Sequence, residues 1–304
     1  MANNSSSNLQ AQPEPMQETG PSASLVMRTG LFVLFLACAL LVLLLGSNYY
    51  KLFPTNGNWI YATGVAAVFL VTALLLRRSA RLARYWQIAY AFFVAAMVNL
   101  VSDLLAGYNT KILHWLGVTS GTNAEYALAK VYETLLVVIT ILILSRLAGA
   151  DLGALFIKKG NHNWKWGAGV GSLLLVNFLT SALIFFGASR SPEKIVSAIL
   201  WGLVFSFSNG LLEELWVRGL FLRKLVPLIG AAGAVILTST WFAALHFLSV
   251  AFLPAVIVPI FVINTFTLGL ACGILMLKTD SIWGAILVHA AADLFLFIAT
   301  LAVR

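Results

Sequence analysis

The stretch Leu31-Phe-Val-Leu-Phe-Leu-Ala-Cys-Ala-Leu-Leu-Val-Leu-Leu-Leu45 consists almost entirely of Leu, Val, Phe and Ala. About 20 apolar residues in a helix cross the ~30 Å hydrocarbon core of a bilayer. Lipid cannot satisfy free backbone N–H and C=O groups, so a segment of this kind crosses the bilayer as a helix. This stretch lies in an apolar run at 30–47 and predicts the first membrane span.

Further apolar runs of spanning length follow along the rest of the chain. The chain is 61% hydrophobic and 10% charged, whereas soluble domains carry about 25% charged residues. We therefore predict an all-α fold, a polytopic transmembrane helical bundle of about eight or nine spans. The further runs lie at 58–76, 86–106, 126–148, 165–187, 193–217, 231–249, 254–277 and 281–303.

Three regions differ in composition. Residues 1–25 are rich in Asn, Ser, Gln, Pro and Glu, which predicts a disordered polar tail. Residues 26–190 are interpreted as N-terminal transmembrane helices. Residues 191–304 are interpreted as the transmembrane core that carries the chemistry, because the polar residues of its spans follow a pattern.

Basic residues are concentrated in alternate loops. If the spans alternate in direction, these loops lie on one side, which the positive-inside rule makes cytoplasmic. The prediction is a cytoplasmic N-terminus, with 153–163 cytoplasmic and 108–123 on the opposite side. Since these loops account for much of the net charge of +8, we expect no nucleic-acid partner. The basic residues concerned are Arg77, Arg78, Arg81, Arg84, Arg146, Lys158, Lys159, Lys165, Arg223, Lys224 and Lys278.

The sixth run ends in Asn209-Gly-Leu-Leu-Glu213-Glu214-Leu-Trp-Val-Arg218, with two adjacent glutamates in an otherwise apolar segment. A charged residue inside a span costs about 2.5–3.5 kcal/mol on insertion scales. Glu214 and Arg218 are four residues apart, so they share a helix face and can pair. Glu213 then has no local cation. A structural ion pair at a helix end is the alternative interpretation.

Two later spans add imidazoles and a carboxylate. The seventh run contains Phe242-Ala-Ala-Leu-His246, and the ninth contains His289-Ala-Ala-Ala-Asp293. The spacing of His289 and Asp293 places both on one helix face. Each could be a buried structural group, but intramembrane ionisable residues usually face the bundle interior and mark a functional path. Together with Glu213 they suffice to activate a water molecule.

The ordered set Glu213-Glu214-x-x-x-Arg218, Phe242-x-x-x-His246 and His289-x-x-x-Asp293 resembles the motifs of the CPBP family of intramembrane proteases. This family comprises the type II CAAX prenyl proteases and their bacterial Abi-type relatives. The resemblance covers roughly residues 193–303, and Phe266-Thr-Leu-Gly269 is similar to a looser additional motif. It implies an endopeptidase acting on membrane-associated substrates in a bacterial inner membrane.

The resemblance also implies roles for these residues. Glu213 would be the base that activates water, with His246 beside it, and His289 and Asp293 would stabilise the oxyanion. Glu214 and Arg218 would support the site. A metal is left open, either zinc held by His246, His289 and Asp293 or none at all. The expected partners are membrane lipid and a peptide or protein substrate, with a lipidated substrate as one form of it.

Two other functions remain as alternatives at this point. One is a non-catalytic interaction or immunity protein of the same family. The other is a proton-coupled transporter that uses Glu213, His246 and Asp293 as a relay, although the repeats and broken helices typical of transporters are not evident in the sequence. An enzyme and a transporter differ in the arrangement of these side chains: in an enzyme they converge on one cavity, and in a transporter they line a continuous pore.

Overall fold

The computed structural model describes residues 24–46, 57–161, 163–186, 191–250 and 257–301. Within these ranges the chain forms α-helices joined by short turns and contains no β-strand. The predicted all-α fold is therefore confirmed. The helices are α1 Leu25–Ala39, α2 Gly57–Arg78, α3 Trp86–Trp115, α4 Asn123–Leu147, α5 Trp164–Phe186, α6 Pro192–Glu213, α7 Leu222–Val250, α8 Ile257–Thr279 and α9 Trp283–Leu301.

Each predicted apolar run coincides with one of these helices. Among the described residues, seven helical segments are long and apolar enough to cross a membrane, and Trp283–Ile298 of α9 is a shorter apolar helix. The protein is therefore an integral multi-pass membrane protein with a helical bundle.

Helix α3 is longer than its apolar run predicts. The run at 86–106 predicts a span that ends before the segment 108–123, but the helix continues to Trp115 and so includes the first part of that segment. Leu113 is buried there. Hydropathy detects the part of a helix inside the bilayer, whereas backbone hydrogen bonding continues beyond it.

The starts of the two helices that frame the site are specified locally. The hydroxyl oxygen of Thr122 accepts a hydrogen bond from the backbone N–H of Glu125 at 3.2 Å, and the Glu125 carboxylate accepts one from Gly121. This arrangement resembles a capping box at the start of α4. Helix α6 begins with Pro192 at its first position and Glu193 in its first turn, both favoured at helix N-termini.

The centre of the bundle contains an aromatic cluster between α3 and α7. The ring centroids of Phe92 and Phe221 are 4.9 Å apart, and those of Phe221 and Trp241 are 5.1 Å apart. All three side chains are buried. Helix α1 joins this core through a π-helical turn at Leu40–Leu44, where Asn99 donates a hydrogen bond to the Val42 carbonyl at 2.6 Å.

Helix α7 is interrupted at Gly230, which has φ 80° and ψ 163°. A side chain is disfavoured at a positive φ, so glycine suits this break. Pro227 lies one turn earlier and removes a backbone donor. The predicted span at 231–249 therefore corresponds to the part of α7 beyond the break, which carries His246.

Close contact between α6 and α9 depends on Gly210. A Cβ atom at this position would lie 3.2 Å from the Ile286 carbonyl oxygen and 3.5 Å from the Cβ of His289. The absence of a side chain allows the two backbones to approach. As a result, the glutamates at the end of α6 lie beside the histidine of α9.

The segment after α6 is a π-helical turn, Glu214–Gly219, and all of its residues are buried. In this turn the N–H of Leu220 donates to the carbonyl of Leu215. Single π-helical turns occur mostly inside α-helices and often at functional sites. Here the turn carries both Glu214 and Arg218.

A cluster of charges joins three connections on the side predicted to be cytoplasmic. Asp280, in the turn between α8 and α9, forms ion pairs with Lys158 and Arg223. Arg223 also stacks on Phe156, with its guanidinium carbon 4.2 Å from the ring centroid. These contacts fix the ends of α6, α7, α8 and α9 relative to one another.

Candidate active site

The most deeply buried part of the site is a trio formed by Glu214, Arg218 and His289. A guanidinium nitrogen of Arg218 lies 2.6 Å from Oε1 of Glu214, and the same oxygen lies 2.7 Å from Nδ1 of His289. The side chains of Glu214 and Arg218 are 0% exposed and that of His289 is 1% exposed. Glu214 and Arg218 thus form the pair that their spacing predicts, while the contact with His289 comes from the fold.

Arg218 is held by apolar and backbone surfaces as well as by Glu214. Its guanidinium carbon lies 4.5 Å from the centroid of the Phe242 ring, a distance at which a cation is attracted to an aromatic face. A Cβ atom on Gly269 would lie 2.8 Å from an Arg218 nitrogen. The predicted additional motif on α8 therefore supplies the small residue against which Arg218 packs.

Glu213 lies in a different environment from its neighbour. Its Oε2 atom is 3.4 Å from Nε2 of His289 and 3.7 Å from Nε2 of His246. Its side chain is 17% exposed, although Oε2 itself is buried and has no hydrogen-bond partner among the described residues. The two imidazoles approach this oxygen from α7 and α9 at distances longer than a direct hydrogen bond.

The hydrogen bonds of the two histidines fix which ring nitrogen faces Glu213. Nδ1 of His246 lies 2.9 Å from the Phe242 carbonyl oxygen, which can only accept, so we assign the proton to Nδ1. Nδ1 of His289 likewise donates to the Glu214 carboxylate. In both neutral rings Nε2 is then an acceptor directed toward Glu213, and it becomes a donor when the ring takes a second proton.

Asp293 completes the set from α9. Its Oδ2 atom lies 3.7 Å from Nε2 of His289 and accepts a hydrogen bond of 2.9 Å from the side-chain amide of Asn209. Asn209 is buried on α6, one turn before Glu213. The sequence analysis quoted Asn209 but gave it no role, because its contact with Asp293 depends on the packing of α6 against α9.

A small cavity of about 50 Å³ with a mixed polar and apolar lining lies beside Glu213. Its wall contains Glu213 of α6 and His246 of α7, and a third helix, α4, contributes Lys130 and Glu133. The position of these two charges beside the site was not predicted from the sequence. Two charges inside the apolar run at 126–148 were the signal that could have identified these residues.

The residues named from the sequence as ligands in case zinc is used do not form a metal site. They are His246, His289 and Asp293. No group of three or more His, Cys, Asp or Glu side chains in the described part of the chain is arranged to hold a metal ion. Nδ1 of each imidazole is engaged in another contact, and Nε2 of both lies within 3.7 Å of Oε2 of Glu213. We therefore derive no step through a metal.

The geometry places all the predicted site residues in one region. His289 is the centre of the arrangement. It contacts Glu214, which pairs with Arg218, and it lies within 3.7 Å of both Glu213 and Asp293, while His246 lies on the other side of Glu213. Residues 195–295, which contain all of them, match the family model described as Type II CAAX prenyl endopeptidase Rce1-like. This segment is similar to the Rce1-like family. The resemblance to CPBP proteases is thereby confirmed for about a third of the chain.

The matched segment includes most of α6, the π-helical turn and α7, together with α8 and most of α9. Lys130 and Glu133 lie outside it, on α4. No curated protein and no solved structure matched the chain. The matched segment is thus similar to a family of membrane endopeptidases, and the wall that α4 adds to the cavity lies beyond that segment.

Proposed function

We propose that this protein is an intramembrane endopeptidase in which Glu213 activates water for peptide-bond hydrolysis. One observation carries the proposal. A buried carboxylate oxygen of Glu213, which has no hydrogen-bond donor within the described part of the chain, lies beside two imidazole nitrogens and a small cavity that charged side chains help to line. A general base needs this combination of an available lone pair and access to water.

The proposed reaction uses only groups of this chain. Glu213 takes a proton from water, with Nε2 of His246 accepting a hydrogen bond from the same water molecule. The oxygen attacks the carbonyl carbon of the peptide and forms a tetrahedral oxyanion. Glu213 then passes its proton to the leaving amine, the C–N bond breaks, and a carboxylic acid and an amine are released.

His289 is proposed to stabilise the oxyanion. When Nε2 carries a proton, His289 is an imidazolium that can donate to the developing negative charge. Glu214 accepts the hydrogen bond from Nδ1 and so orients the ring and stabilises its positive charge. Asp293, held by Asn209, lies on the Nε2 side and keeps that ring edge in place. Glu214 therefore has a role beyond neutralising Arg218.

The proposed substrate is a peptide attached to or inserted in the membrane. A cavity of about 740 Å³ lies on the face of α7 that carries Ala243, Ala244 and Phe247, and almost all of its lining is apolar. It suits an apolar part of a substrate next to the helix that bears His246. Cleavage near a lipidated C-terminus is the substrate class that the family description suggests.

We also propose the division and orientation inferred from the sequence. Residues 191–304 would form the catalytic core, and 26–190 the helices that complete its wall and embed it. A bacterial inner membrane with a cytoplasmic N-terminus fits the basic loops. Thiol labelling of single cysteines placed in 116–122 and 153–161 tests the orientation, since both reacting from the same side would contradict it.

The function is tested by comparing membrane proteomes of cells that contain the wild-type protein or Glu213→Gln. A protease should produce peptide fragments, or shortened C-termini, that occur with the wild type and are missing with Glu213→Gln. A non-catalytic interaction protein should give the same fragments with both. The second outcome, at equal protein levels, would reject the proposed activity.

A further inference from the structure

Two charged residues of α4 lie inside a membrane span and beside the candidate catalytic glutamate. Lys130 is about 10 Å along the helix from Asn123, at 1.5 Å per residue, and Glu133 is one turn further. Their charged atoms form an ion pair at 2.6 Å. Charges at this depth are costly and are seldom present without a function.

The position of this pair against α6 is fixed by a polar contact between the helices. The hydroxyl of Thr134 donates to the carbonyl of Ser208 at 3.0 Å and also contacts the carbonyl of Lys130 at 2.8 Å. The ammonium of Lys130 lies 5.7 Å from the centroid of the Phe205 ring. Both contacts hold the charged face of α4 toward α6 and the cavity beside Glu213.

The size and the lining of this cavity suit water. A buried site needs about 10–15 Å³ of this kind of space and two to four polar partners to hold a water molecule, and the cavity offers about 50 Å³. Lys130, Glu133, Glu213 and His246 supply donors and acceptors. Trp216 also lines it, and the indole N–H of Trp216 is buried without a partner among the described residues.

We propose that this cavity is the water site of the enzyme, in which Lys130 and Glu133 hold water next to Glu213 and admit it from the bundle surface. Glu133 is the accessible member, since its side chain is 44% exposed, whereas that of Lys130 is 15% exposed. Both are positioning residues that act through water on Glu213. This inference rests on the proposed hydrolytic function, because hydrolysis consumes one water molecule for each bond.

The apolar cavity beside Ala243, Ala244 and Phe247 indicates that water and substrate occupy different sides of α7. Its lining by Leu44, Leu45, Val262, Ile263 and Phe266 offers water almost no polar partner. Water therefore reaches the site from the α4 side, while the apolar portion of a substrate occupies the opposite face of α7. The two reactants approach His246 from different directions.

Thiol labelling tests whether water reaches Glu133, and it does not depend on catalysis. Cys38 and Cys272 are first replaced by alanine. Glu133→Cys is then made together with Lys130→Gln, so that no charge is left unpaired. In open membrane fragments, a charged methanethiosulfonate reagent should react with this thiol at least about tenfold faster than with Ile139→Cys, because thiolate forms readily only in water.

Ile139 is a matched control, since it lies on the same helix and is about equally exposed on the outer surface of the bundle. Fast labelling at position 133 and slow labelling at 139 is the expected result. Equal rates at both positions would overturn the water site. Because no cleavage is measured, that result would leave the proposed protease activity standing.

Kinetics on the purified full chain test whether the pair acts on the reaction. Two uncharged double variants are compared on a substrate identified by the proteome experiment. Lys130→Met with Glu133→Leu removes the polar groups and should lower kcat by about tenfold or more, with KM within about twofold. Lys130→Gln with Glu133→Gln retains polar groups and should lose no more than about threefold.

Equal losses in both double variants, or a change in KM with kcat preserved, would overturn the water-holding role. Thermal unfolding of each variant in detergent shows whether the fold is retained. If the wild type cleaves no substrate at all, the proposed function fails. The labelling result then decides by itself whether the cavity is a water site.

Discussion

Two adjacent residues at the junction of α6 and the π-helical turn, Glu213 and Glu214, lie in different surroundings. Glu214 is enclosed in the trio with Arg218 and His289 and has no exposed surface. Glu213 lines the small cavity, with Nε2 of His289 at 3.4 Å and Nε2 of His246 at 3.7 Å from its Oε2 atom. Two glutamates with identical side chains are therefore suited to different tasks, because the residues around them differ.

The difference gives each carboxylate its own part in the proposed mechanism. Glu214 is engaged by Arg218 and by Nδ1 of His289, so it would orient the histidine and stabilise a positive charge on it. Glu213 lines the cavity and would exchange a proton with water. Each glutamate should therefore fail in a different way when it is altered.

Glu213→Gln should show the largest effect on activity. Glutamine keeps the size and polarity of the side chain but cannot accept a proton from water, so cleavage should fall by about 10²–10⁴-fold. Thermal unfolding in detergent should be close to that of the wild type. Glu193→Gln, a carboxylate in the exposed first turn of the same helix, is the matched control. Full activity in Glu213→Gln would mean that the base is another group.

Glu214→Gln should lose stability as well as activity. It leaves the fully buried Arg218 without its partner, which costs about 3–5 kcal/mol in the free energy of unfolding. Glu214→Gln combined with Arg218→Gln removes both charges and should recover much of that stability. Activity should stay low in the double variant, because His289 still lacks its carboxylate. Recovery of both quantities would show that Glu214 serves only Arg218.

Asn209→Ala tests the support that Asp293 receives from α6. Hydrogen bonds to charged groups contribute about 1.5–3 kcal/mol, so kcat should fall by roughly 10- to 100-fold. Asn99→Ala is the control, since Asn99 is also 6% exposed and also donates a buried hydrogen bond, but to the Val42 carbonyl in the π-helical turn after α1. Equal activity losses in the two variants would indicate a general effect on the fold.

Phe242→Leu should have the smallest effect. It removes the ring on which the Arg218 guanidinium stacks, a contact of about 0.5–2 kcal/mol. The free energy of unfolding should fall by a similar amount, and activity should fall less than in Asn209→Ala. Phe92→Leu, in the aromatic cluster away from Arg218, separates the loss of stacking from the loss of core volume.

The sequence was a good guide to the features that depend on one segment. Hydropathy located the helices, and the four-residue spacing predicted that Glu214 and Arg218 pair. The break at Gly230 and the extension of α3 were not predicted. An apolar run indicates which residues suit contact with lipid, but it does not indicate where the backbone hydrogen bonds of the helix begin or end. The π-helical turn has no signal in the hydropathy pattern.

The features that depend on two helices could not be read from one sequence. The bond from His289 to Glu214 and the bond from Asn209 to Asp293 both require the approach of α6 to α9 at Gly210. Lys130 and Glu133 join the cavity only because α4 packs against α6. Their charges marked them as unusual within a span, but nothing in the sequence states which helix they face.

The π-helical turn at Glu214–Gly219 has a consequence for how this chain can vary over generations. A π-helical turn contains one residue more than a regular α-helix of the same length along the axis. The insertion of a single codon into an α-helix would produce such a turn. Deleting one codon between Leu215 and Val217 would restore a regular helix and place Arg218 three residues after Glu214 instead of four. The ion pair with Glu214 and the stacking on Phe242, which both depend on the present spacing, could then not be kept together. Lineages with this fold should therefore keep the length of the turn constant.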